Sequence, residues 1–73
     1  MSTKEVKSEI TGTVWKIIAK PGDRVAEDDV LMILESMKME IPMTAPEDGV
    51  VKEIRVAEGD AIAEGEVAAL LEI

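Results

Sequence analysis

The sequence predicts an all-β fold, a sandwich or flattened barrel, on three observations. The chain repeats itself: sliding it by 37 positions sets residues 12–35 on residues 49–72 with ten identities and no gap. Each copy holds two short runs rich in β-branched residues and bounded by turn residues, the signature of strands. Close-set turns at Gly22-Asp23 and Gly59-Asp60 separate those runs, and many short strands with tight turns favour a sandwich or barrel. Two copies are too few for a solenoid, which needs about three. They suit a pseudo-two-fold unit in which each half covers the other's apolar face. Residues 1–73 are therefore expected to form one domain.

The elements follow in order. The opening Met-Ser-Thr-Lys-Glu-Val-Lys has no long apolar stretch after its charges, so it does not read as a secretory signal. The first strand is expected over Val14–Ala19 and its copy over Val50–Val56. Val14 and Ile17 lie three apart, which breaks strict alternation, and Val51 and Ile54 break it the same way. A break shared by both copies reads as a bulge or bend in each strand. Gly22 and Gly59 then supply turns where a positive φ is available. A second pair of strands is expected over Val30–Glu35 and Val67–Ile73. Helix competes for the Ala-rich stretch 61–71, but Gly59 and Gly65 break it and its partner Val30-Leu-Met-Ile-Leu reads as a buried strand.

Composition limits what such a fold can do. A chain of 73 residues buries only about 60% of the surface its unfolded form exposes. With no cysteine, disulfides cannot staple it, and with no histidine it lacks the commonest metal ligand. The core must come from Val, Ile, Leu, Met and Ala, together with Trp15. At 47% hydrophobic, that set supports a folded unit rather than a disordered tail. Sixteen acidic residues against eight basic ones give a net charge of -8, which disfavours nucleic acid and anionic membranes as partners. No apolar run approaches the roughly 20 residues of a spanning helix, so the cytoplasm is the expected compartment. There is no His or Cys nucleophile system and no glycine-rich phosphate loop, so the chain is expected to catalyse nothing itself.

Between the copies lies Ser36-Met37-Lys38-Met39-Glu40-Ile41-Pro42, where the chain has to reverse. A tight hairpin normally carries Asn-Gly or Asp-Gly, yet Glu35 to Ile41 contains neither glycine nor asparagine. A turn without conformational specialists holds residues chosen for something else. Lys38 is its only nitrogen nucleophile, and a hairpin tip lets an amine stand clear of the domain. Met37 and Met39 are long, flexible and soft, suited to lining a partner's pocket. Glu35 and Glu40 flank them as charges a partner can read. One at a time, an exposed lysine is a solubilising charge and a methionine pair is core filling. Position, missing turn residues and apolar flanks together favour a functional site.

Glu35-Ser36-Met37-Lys38-Met39-Glu40 resembles the attachment signature of biotinyl carrier domains, in which a lysine sits between two methionines. The frame agrees: Gly12-Thr13-Val14, Lys20-Pro21-Gly22-Asp23 and Val25 come before it, and Ala45-Pro46, Asp48-Gly49-Val50-Val51, Glu58-Gly59-Asp60 and Gly65 follow. The likeness runs from about Val6 to Ile73 and is similar to small stand-alone biotin/lipoyl attachment proteins of the biotin carboxyl carrier type. It implies a flattened barrel of two antiparallel sheets (a barrel-sandwich hybrid), with the modified lysine on a hairpin tip. It implies covalent biotin on Lys38, with Met37 and Met39 as the flanks that set biotin domains apart from lipoyl domains. The implied partners are a biotin protein ligase, a biotin carboxylase and a carboxyltransferase, between which the domain would shuttle carboxybiotin for an acyl-CoA carboxylase. A lipoyl carrier of a 2-oxoacid dehydrogenase-type complex is the alternative. Ser36 departs from the family's usual Ala, and the ungapped repeat leaves no room for the thumb insertion of some acetyl-CoA carboxylase carriers.

Overall fold

The two halves of the chain exchange their edges. In the computed structural model, which describes residues 2–73 and so leaves Met1 outside, eight strands run in order: β1 (Thr3–Lys7), β2 (Gly12–Ile17), β3 (Arg24–Val25), β4 (Val30–Ser36), β5 (Met39–Thr44), β6 (Gly49–Ile54), β7 (Ala61–Ile62) and β8 (Val67–Glu72). One sheet has the order β1-β8-β6-β3 and the other β5-β4-β2-β7. Every pairing is antiparallel. In each sheet a central pair from one half is flanked by two strands from the other. Neither half has a complete sheet without its mate.

Hydrogen bonds recur at the 37-residue offset. Gly22 N–H donates to Val51 O at 2.8 Å and Gly59 N–H to Val14 O at 2.7 Å. Asp23 caps its turn by accepting from Lys20 N–H at 3.0 Å, and Asp60 accepts from Ala57 N–H at 2.9 Å. Gly22 and Gly59 have φ of 95° and 93° with open space around them. Glycine is needed there for its backbone freedom and not for close packing.

The expected bulges are present. Register shifts between Val14 and Lys16 in β2, and between Val51 and Glu53 in β6. Both expected strands move toward the N-terminus: Val14–Ala19 is observed as Gly12–Ile17, and Val50–Val56 as Gly49–Ile54. The reason is local, since the N–H groups of Ile18 and Ala19 both donate to Leu31 O and so end the regular ladder. Trp15 is a correction to the expected core. It occupies the bulge and is 49% exposed, because the extra residue of a bulge is turned out of the alternation.

The core lies between the sheets. It joins Val14, Leu34 and Val25 of the first half to Val51, Leu71 and Ile62 of the second, each pair 37 apart. Elsewhere the halves compensate in size: Leu31 and Met32 face the interior where the second copy has Ala68 and Ala69, all four fully buried. Two large side chains on one side and two small ones on the other share a single interior, as the close packing of protein interiors requires. Among the described residues no helix is long and apolar enough to cross a membrane.

Candidate functional site: the tip of the β4–β5 hairpin

β4 and β5 pair rung by rung up to Ser36 opposite Met39, leaving Met37 and Lys38 as a two-residue loop. Both have positive φ, 53° and 65°. Positive φ at both central residues is the requirement of the type I′ turn, whose twist matches that of the flanking strands. Neither residue is suited to it, and a side chain in this region is disfavoured by about 1–2 kcal/mol. The hairpin imposes the conformation because five rungs below the tip hold register: Ser36–Met39, Glu35–Glu40, Leu34–Ile41, Ile33–Pro42 and Met32–Met43. Pro42 is tolerated because β5 is an edge strand.

The structure brings the expected site residues together. Lys38 is exposed at the apex, and Met37 and Met39 beside it are 91% and 62% exposed. The ion pairs among the described residues are Lys4–Glu47, Lys7–Glu5 and Arg55–Glu53, so the Lys38 amine is held by none. Glu35 and Glu40 are directly opposite each other one rung below the tip. Like charges so placed oppose the pairing by a few tenths of a kcal/mol. No group of three or more His, Cys, Asp or Glu among the described residues could hold a metal ion.

The base of the hairpin shows two residues whose role the sequence did not reveal. A Cβ on Gly12 would collide with the backbone carbonyl oxygen of Glu35 and lie 3.3 Å from Ser36 Cβ, so only glycine lets β2 press against the foot of the tip. Ser36 Oγ donates to Thr11 O at 3.1 Å, and Thr11 Oγ1 accepts from Glu64 N–H at 3.0 Å. The foot of the turn is thus tied to the segment before β2, and through it to the turn after β7. Gly12 opening the first repeat was the only signal in the sequence, and it did not show which carbonyl the glycine admits.

An unpaired amine at the apex of a rigid hairpin, between two exposed apolar side chains, can be enclosed by another protein's active site. Known proteins are similar to this chain over most of its length. A family profile described as "Biotin-requiring enzyme" matches residues 3–71. The biotin/lipoyl attachment protein of Bacillus subtilis is 46% identical over 68 residues, 93% of this chain and 90% of its own. The biotinylated protein TB7.3 homolog of Mycobacterium leprae is 40% identical over 68 residues, 93% of this chain and 96% of its own. Among solved structures, the urea carboxylase of Kluyveromyces lactis superposes with a TM-score of 0.93 at 33% identity, over 99% of this chain and 6% of that one.

Proposed function

This chain belongs to the biotin/lipoyl attachment family, and from that premise we propose that Lys38 is the residue that carries its biotin. The observation that supports this is the unpaired amine on a two-residue turn whose backbone suits neither of its residues. The protein is a carrier and not itself an enzyme, and the family's cofactor is biotin. The site fits that group: the tip stands free of other side chains, and its flanks are apolar where a ligase has to close over the lysine.

In this reading the Lys38 Nζ attacks the activated carboxyl carbon of biotin in the site of a biotin protein ligase. The C–N bond of an amide forms, the activating group leaves with the electron pair, and the ligase takes the amine's proton. When bound, biotin supplies a ring nitrogen that accepts and releases a carboxyl group. The chain's own contribution is positional. Five rungs of β4–β5 hold the tip in one orientation, Gly12 and Ser36 fix its foot, and Met37 and Met39 offer apolar contact to each partner. Tethering raises the local concentration at a biotin carboxylase and a carboxyltransferase without tight docking. The acceptor class we infer is an acyl-CoA, acetyl-CoA of fatty acid metabolism among them, in the cytoplasm.

The Lys38→Ala variant tests the assignment. Folding stability should change by less than about 0.5 kcal/mol, as for most exposed substitutions, while streptavidin recognition after incubation with ligase, biotin and ATP should vanish. Residual recognition in that variant overturns Lys38 as the site. The intact mass of protein from its own host separates biotin from the lipoyl alternative by the size of the adduct.

A further inference from the structure

We propose that Met37 and Met39 form a reversible oxidation site that controls whether Lys38 is accepted by the biotin ligase. The inference rests on the carrier reading of Lys38 and adds a regulatory modification to it. The chain has no cysteine, so methionine thioethers are its only oxidisable sulfur. The described methionines fall into two classes. Met32 is fully buried and Met43 is 8% exposed, whereas Met37 and Met39 are 91% and 62% exposed. Among the described residues, the two accessible methionines are the two that flank Lys38, one on each side.

The chemistry needs one co-reactant, a peroxide. The thioether sulfur attacks the O–O bond of hydrogen peroxide and takes one oxygen. The other oxygen leaves as hydroxide and takes the proton from the S–OH cation, giving the sulfoxide and water, so sulfur is oxidised by two electrons and peroxide is reduced by two. The product replaces a flexible apolar side chain with a polar, chiral sulfoxide. A ligase pocket that meets an apolar flank then has to bury an unpartnered S=O. The core is spared because its sulfurs are covered, so the fold persists while the tip changes character. Two thiol-driven methionine sulfoxide reductases, one for each sulfoxide epimer, together return the sulfur to its first state.

The test treats the unbiotinylated protein with hydrogen peroxide, removes the peroxide with catalase, and then adds ligase, biotin and ATP. Peptide mass mapping should show oxygen on Met37 first, then on Met39, with Met32 untouched and the circular dichroism spectrum unchanged. The initial rate of biotinylation should fall roughly tenfold or more, the scale expected for burying an unpaired polar group, and reductase treatment should restore it. The variant Met37→Leu/Met39→Leu keeps the apolar flanks and should lose the response to peroxide. Protein with sulfoxide at both positions that is still biotinylated at the untreated rate overturns the inference and leaves the carrier reading intact. So does a rate loss that the two epimer-specific reductases together do not reverse, or one that persists in the double leucine variant. Untreated protein that ligase never modifies overturns the carrier reading itself, and this inference with it.

Discussion

The two poles of the molecule are built on one plan and finished differently. At one pole Ser36 faces Met39 across a closed turn. At the position 37 residues away, Ile73 and Ser2 exchange backbone hydrogen bonds, Ile73 N–H to Ser2 O at 2.8 Å and Ser2 N–H to Ile73 O at 3.2 Å. β5 leaves the tip, and the chain then reaches Gly49 beside Glu72, so these two ends lie at opposite extremes of a body 36 Å long and 17 Å wide. Under the second pole, Gly49 admits the Glu72 carbonyl as Gly12 admits that of Glu35. The frame therefore needs no turn at all to hold this geometry. The strained Met37-Lys38 loop and the Ser36 hydroxyl are additions found at one pole only. They serve what happens there and not the fold.

The largest expected effect comes from breaking what the poles share. Gly12→Ala and Gly49→Ala each drive a Cβ into a backbone carbonyl. Each should destabilise by about 2–3 kcal/mol, a fall of roughly 10–20 °C in Tm. Thermal melts of both variants that match the parent remove the close-approach argument. A difference confined to Gly12 shows instead that the tip, not the frame, demands the contact.

The difference between the poles is sharpened by relieving the turn. Met37→Asn with Lys38→Gly installs the sequence that type I′ turns prefer. Stability should rise by about 1–2 kcal/mol, read as an upward shift of the denaturation midpoint with unchanged slope, while streptavidin recognition is lost. An unchanged midpoint means the turn is not strained. A smaller version of the same comparison exists inside the frame. Asp28 has φ of 74° where its repeat mate Gly65 has 87°. Asp28→Gly should therefore stabilise by about 0.5–1 kcal/mol, and a loss of stability would show that the aspartate side chain compensates for its backbone.

Much of this was legible in the sequence because duplication doubles every signal. The shared three-residue spacing of Val14/Ile17 and Val51/Ile54 exposed the bulges, and the central strands β2, β4, β6 and β8 followed from their apolar runs. β1 and β5 were missed. In Thr3–Lys7 only Val6 is buried, so an edge strand facing solvent leaves little pattern, and Pro42 interrupts the strand signal of β5. β3 and β7 are two residues each, too short for any periodicity. Trp15 looked like core because large aromatics usually are, but the bulge decides its side and hydrophobicity does not. At the tip, the absence of Gly and Asn showed that the turn was unusual. Only the backbone angles show that it is a tight turn kept against its own preference.

Because Ser2 and Ile73 meet as neighbours far from Lys38, anything continuing from either end departs behind the amine. A fusion partner, a purification tag or a resin linkage attached there casts no shadow over the hairpin. The domain can be grafted by one stalk or inserted by two into a much larger body, with its cargo-bearing end facing outward in either case. Joining the ends through a two-residue bridge should give a ring that still opens to modification on one side only.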